Sequence, residues 1–134
     1  MNNDQNFSQE LNPLLDKWEE SYKKGLLSFW LLLQLHQRPS YAFEMKQLVQ
    51  ELSQGTITAE DNSIYRALSR FESIGIVESQ VQPNQQGPDR RYFRLTDLGL
   101  RLLTAFSQRN LLVFQSEALK EKLAKVFSDP ELGG

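Results

Sequence analysis

At 134 residues, with 40% hydrophobic and 24% charged side chains, the chain has the length of one domain and the composition of an ordinary globular protein. A formal charge of -2 excludes a uniformly basic surface, so any site for a polyanion must be local. Asp4, Glu10, Asp16, Glu19 and Glu20 stand against Lys17 alone in the first twenty residues, which leaves the remainder at +2. The lack of cysteine excludes a disulfide framework and a thiolate metal site, and it suits a cytoplasmic location. The most apolar run, "LLSFWLLLQL" from Leu26, is well short of the roughly 20 apolar residues a bilayer needs, and no basic signal-type region precedes it. No membrane partner is expected.

Residues 1–12 are rich in Asn, Gln and Ser without an apolar period, and are expected to form a mobile acidic tail with order beginning near Pro13. Leu14, Leu15, Trp18 and Tyr22 then make one apolar helical stripe, which requires a partner surface. From Lys24 to about Gln37 the chain is apolar nearly all round and predicts a covered helix. "RPS" at Arg38 to Ser40 ends it, with Ser40 placed to cap a second helix from about Tyr41 to Leu52. After the turn "SQGTIT", Thr58 and Asp61 have capping-box spacing for a third helix. In that helix Ile64, Leu68 and Phe71 define a core face, while Asn62, Ser63, Arg66, Ser69, Arg70 and Ser73 fall opposite. Gly75 stops it. "IVESQV" and "RRYFRL" bracket "QPNQQGPD" and predict a β-hairpin whose second strand turns Phe93 and Leu95 one way and Arg90, Tyr92 and Arg94 the other. A last helical stretch, capped by the Thr96 hydroxyl, has apolar positions as far as about Phe127, with Gly99 weakening it, and the pattern does not fix whether it is one piece.

This order predicts a mostly α fold with a small β-hairpin, a winged helix-turn-helix in which the third helix enters the major groove and the hairpin reaches the neighbouring backbone. The expected organisation is a tail over residues 1–12, a winged-helix DNA-binding domain with its N-terminal helix over 13–95, and a C-terminal helix with a short tail over 96–134. Arg66 and Arg70 lie one turn apart on the outer face of the third helix, where a guanidinium can grip guanine or bridge phosphates. Asn62, Ser63 and Tyr65 add hydrogen-bonding groups. Arg90, Arg91 and Arg94 put cations on the wing, where phosphate contacts anchor without reading sequence. Tyr41, at the head of the second helix, completes the DNA-contacting set.

Three motifs, in order and at matching spacing, carry a resemblance: "PSYAFEM" from Pro39, "EDNSIYRALSRFESIGIVES" from Glu60, and "RRYFRLTDLG" from Arg90. From about Leu26 to Phe106 the chain resembles the PadR family of bacterial transcription regulators. It departs from the family pattern at Ala42 and Phe43, which replace a usual Gly-Tyr, and at Arg66, which replaces a common proline and adds a cation. The resemblance implies a homodimer that exchanges its N-terminal helix and its C-terminal dimerisation helix between subunits and represses promoters by binding double-stranded DNA at a pseudo-palindrome. It also implies release by a small apolar or aromatic effector held beside tryptophan, for which Trp18 and Trp30 are the candidates; aromatics at helical spacing also serve simply as interface core.

Nothing in the sequence pairs a nucleophile with a base or builds a glycine-rich phosphate loop, so no catalytic residue, metal or cofactor is expected. His36, the one histidine, lies where an imidazolium favours the end of a helix. The alternative to a regulator is a winged-helix protein–protein adaptor that does not bind DNA.

Overall fold

The computed structural model describes residues 2–128. Its first element, α1 (Asn2–Gln37), is one continuous helix. The stretch 1–12, read from sequence as a tail, therefore contributes the first turns from Asn2 onward, and the expected separate helices before and after Lys24 are joined. Pro13 lies inside the rod, where it removes one backbone hydrogen bond. The residues around it are exposed, so the carbonyl it leaves free can be hydrated. Gly25 costs about 1 kcal/mol relative to alanine and does not break the helix, because the apolar turns after it bury Leu31, Leu32 and Leu35.

Ser40 and Tyr41 form a short strand, β1 (Ser40–Tyr41), before α2 (Ala42–Leu52). Ser40 is fully buried and its hydroxyl donates to the Arg38 carbonyl at 3.1 Å, so it does not cap α2 as expected. Glu44 takes over part of that task. Its carboxylate accepts from the Tyr41 backbone N–H at 3.1 Å and holds the Arg38 guanidinium through two bonds of 3.1 and 3.2 Å. That fork, with its opposite charge, raises the Arg38 pKa further above its ordinary value.

Left-handed Gln54 and Gly55 turn the chain, and the Ser53 hydroxyl accepts from the Ile57 N–H at 3.0 Å. The third helix, α3 (Asp61–Ser73), starts after Glu60, and the expected Thr58 cap does not form. Ile57 is buried and residues 57–60 form no regular structure, so the helix begins at Asp61 with Glu60, two residues after Thr58, in the cap position. Asp61 sits instead in the first turn, where its charge favours the positive end of the helix, 3.7 Å from Lys46. At the far end Gly75 has φ +83°, and the N–H groups of Gly75 and Ile76 reach back to the carbonyls of Glu72 and Phe71 at 3.1 and 3.0 Å. Phe71 and Ile76 bury together across this left-handed cap.

The hairpin is β2 (Val77–Gln82) and β3 (Arg90–Leu95), in register from Val77 opposite Leu95 to Gln82 opposite Arg90. β1 pairs with the other edge of β3, Ser40 opposite Phe93 and Tyr41 opposite Tyr92, so the expected two-stranded hairpin is part of a three-stranded antiparallel sheet of order β1-β3-β2. One core, centred on Leu31, Met45, Val49, Ile64, Leu68, Phe71, Val77 and Phe93, ties α1, α2, α3 and the sheet together.

Thr96 then starts α4 (Asp97–Asn110). Its hydroxyl donates to the Gly75 carbonyl at 2.7 Å and accepts from the Gly99 N–H at 3.1 Å. The last helical stretch, whose continuity the sequence did not fix, is in two pieces: a 3₁₀ turn (Leu112–Gln115) separates α4 from α5 (Glu117–Ser128). Ser116 restarts the helix from an extended backbone, its hydroxyl accepting from the Leu119 N–H at 3.2 Å. The short tail assigned to the end of the chain lies largely outside the described residues.

Candidate nucleic-acid interface

The burial of α3 is one-sided. Ile64, Ala67, Leu68 and Phe71 are buried, and the 3.6-residue period places Asn62, Arg66, Ser69 and Ser73 directly opposite them. Ser63 is half-buried at the edge of that face. Arg66 therefore stands at the centre of the exposed face, with Arg70 to one side and Tyr65 and Glu72 to the other. Arg70 leans over its neighbour Phe71, 5.7 Å from the ring centre. Asp61 is engaged by Lys46, and the Glu72 carboxylate accepts a hydrogen bond from Ser79. Among the described residues, neither Arg66 nor Arg70 has a carboxylate within 4.0 Å. Two uncompensated cations thus face outward from the helix the sequence singled out.

Between α3 and the wing lies a cleft of about 700 Å³, lined by Tyr41, Phe43, Tyr65, Ser69, Glu72, Arg90 and Arg91 among others. The strand pleat divides the wing arginines. Arg91 shares the face of Phe93 and turns into the cleft, where its Nη1 donates to Ser79 Oγ at 2.9 Å. Arg90 reaches the same cleft from the end of β3, its guanidinium 4.5 Å above the Tyr41 ring. Tyr41 is half-buried and meets Tyr92 edge-on at 5.4 Å, so its ring supports Arg90. Arg94 lies on the opposite face, bonded through Nε to Glu78 at 2.6 Å. The sequence-predicted residues Tyr65, Arg90, Arg91 and Tyr41 are thus brought to one cleft beside Arg66, and Arg94 is not.

Three residues of this region were not singled out from sequence as site members: Phe43, Glu72 and Ser79. Phe43 is 76% exposed although aromatic, at the position where the chain departs from the Gly-Tyr pattern, and that departure was its signal. Glu72 and Ser79 gave none, because their bond joins two elements.

The two tryptophans lie twelve residues apart on α1, about 18 Å along its axis. Trp18 is 75% exposed in a shallow apolar depression with Leu15 and Tyr22. Trp30 is half-buried, edge-on to Phe29, which in turn stacks on Phe106, and among the described residues its indole N–H has no hydrogen-bond partner. Among the described residues no cluster of His, Asp and Glu is placed to hold a metal ion, and no helix is long and apolar enough to cross a membrane.

A helix with an open cationic face, seated on a three-helix core beside a basic β-wing, defines a winged-helix protein. The chain belongs to the PadR-like family of transcriptional regulators, whose model matches residues 31–105. The family consists of regulators, not enzymes. Among solved structures, a PadR family regulator from Eggerthella lenta is 24% identical, covering 90% of this chain and 97% of that one at a TM-score of 0.62. A Streptococcus transcriptional regulator is 28% identical over 77% of this chain and 93% of that one, with a TM-score of 0.55. Bacillus subtilis PadR, solved in complex with operator DNA, is 17% identical and covers 60% of this chain and 46% of that one, with a TM-score of 0.56. No curated protein sequence matches the chain.

Proposed function

We propose that this PadR-family regulator is a homodimeric repressor that binds a pseudo-palindromic promoter site through α3 and the wing. The observation that carries this reading is the open face of α3, where Arg66 and Arg70 are uncompensated among the described residues, next to a cleft into which Arg90 and Arg91 reach. Arg66 at the centre of the face is the base-reading residue, assisted by Asn62, Ser63 and Tyr65. Arg70, Arg90 and Arg91 bind phosphates and hold the register. Tyr41 serves by supporting Arg90, and Arg94, neutralised by Glu78, contributes less. The Bacillus subtilis relative was solved with its operator bound, which supports the same use of the fold here.

A second copy of the chain covers the apolar surface left open at both ends: Leu11, Leu14, Leu15, Trp18 and Tyr22 on α1, and Leu112, Val113, Phe114, Val126 and Phe127 near the C-terminus. Two α3 helices related by a two-fold axis then enter grooves one helical turn apart, about 34 Å. The effector is a small aromatic or apolar molecule held between subunits. Trp30 contributes an unpartnered indole N–H that an acceptor on such a molecule would satisfy, and Trp18 an apolar face.

Selection of bound duplexes from a random pool tests the reading. The expected product is a two-fold symmetric site with half-sites one turn apart, bound with an affinity that falls steeply with salt. Recovery of no enriched sequence, with salt-independent retention, would count against it and favour an adaptor role.

A further inference from the structure

We propose that Glu72 is a positioning residue for the wing: through the hydroxyl of Ser79 it holds Arg91 toward α3 and weakens the grip of that arginine on DNA of any sequence. This rests on the reading of the protein as a DNA-binding regulator. The three groups form one directed chain. Arg91 Nη1 donates to Ser79 Oγ at 2.9 Å, and the same hydroxyl donates its proton to Oε2 of Glu72. A hydroxyl can accept from a cation and donate to an anion at once, and each bond polarises the oxygen in favour of the other.

Position makes the chain consequential. Glu72 is in the last turn of α3 on its wing side, and Ser79 and Arg91 lie on the same face of the hairpin, Arg91 opposite Val81, two residues beyond Ser79. Two carboxylates, Glu72 and Asp89, line the cleft, and among the described residues it is Glu72 that is bonded into the wing. A negative charge on a surface that faces phosphates opposes binding directly, and a carboxylate bonded to a neighbour can also act through that neighbour. Here it restrains a cation whose phosphate contact would otherwise be equally available on every duplex. Arg66, with no carboxylate within 4.0 Å among the described residues, keeps its full freedom toward a base edge. The device therefore acts on the sequence-independent part of affinity, which is set by the number of phosphates neutralised.

The experiment measures binding of the full chain to a labelled mixed-sequence duplex of about 30 base pairs, three helical turns, across a series of salt concentrations. Wild type must bind with salt dependence; if it binds no duplex, the DNA-binding reading falls and this inference with it. Given that binding, Glu72→Gln and Ser79→Ala should each bind several-fold more tightly than wild type, with a log–log salt slope steeper by up to about one. In an Arg91→Ala background Ser79→Ala should leave affinity unchanged, and Glu72→Gln should keep only the smaller gain that comes from removing one negative charge from the surface. A purely structural role for Glu72 would lower the melting temperature and loosen binding, and would not steepen the slope. Equal or weaker binding by both variants overturns the proposal. So does an equal tightening in the Arg91→Ala background, which would mean that Glu72 repels phosphates directly. Should Glu72→Gln fail to fold, Ser79→Ala alone decides, since it severs the link and keeps the carboxylate.

Discussion

Arg66 and Arg94 carry the same charge into different surroundings, and that difference sets what each does. Arg66 projects from the middle of the open face of α3, whereas Arg94 is bonded to Glu78 at 2.6 Å on the far side of the wing. Arg66→Ala should cost about 1 to 3 kcal/mol at one base position of the selected site and much less on mixed-sequence duplex, since a guanidinium on a base edge discriminates and a phosphate contact does not. Competition binding against single-position variants of the site measures this; equal losses on every variant would remove base reading from Arg66. Arg91→Ala should lower affinity for all duplexes alike and flatten the log–log salt slope by only part of the roughly one unit that a full phosphate contact carries, because Ser79 and Glu72 restrain that arginine, with Arg94→Ala flattening it less still. Which arginines lie on the wing was legible in "RRYFRL", because alternation follows from chain geometry alone. Which of them is neutralised was not, since Glu78 faces Arg94 only through the strand register.

Among elements, the junction of α3, the sheet and α4 shows where local sequence suffices and where it does not. The Thr96 cap and the Gly75 stop form as the sequence predicts, because each depends on a side chain or a φ angle within a few residues. The two-residue β1 was hidden. Its strand character comes from Phe93 and Tyr92, about fifty positions away, and the buried Ser40 that joins them reads in isolation as a helix cap. The break at Leu112–Gln115 was masked by a run of apolar residues that suits helix by composition. Gly99 was read as a weak point in a helix, yet the structure gives it a distinct task. A Cβ there would stand 2.0 Å from the Ile76 carbonyl oxygen and 3.2 Å from Leu95, at the place where α4 crosses the base of the wing. Neither backbone can retreat without breaking the Thr96 N–H bond to that same Ile76 carbonyl. Gly99→Ala should therefore destabilise the fold by about 1 to 3 kcal/mol despite alanine's higher helix propensity. Chemical denaturation checks this, and a more stable Gly99→Ala protein would show that α4 can shift away from the sheet.

At the scale of the whole molecule, the 36 residues of α1 extend about 54 Å, and only the last third of that length packs on the core of its own chain. The apolar stripe ahead of it was visible in the sequence, but a stripe does not say what covers it, and in one chain nothing among the described residues does so. Trp18 is the sharpest probe, because at 75% exposure it supports nothing within its own subunit. On the proposal that a second copy covers this stripe, Trp18→Glu should leave the circular dichroism spectrum of the fold intact while moving the protein from dimer to monomer in sedimentation. The wild-type melting temperature should rise with protein concentration and that of the variant should not, as expected when folding and association are linked. DNA binding supplies the discriminating readout. A monomer retains one α3 and one wing, so its affinity for an isolated half-site should match that of wild type, whereas the gain from a second half-site one turn away should vanish. A Trp18→Glu protein that stays dimeric and keeps that gain would move the subunit contact away from α1 and onto the C-terminal segment that ends in Val126 and Phe127.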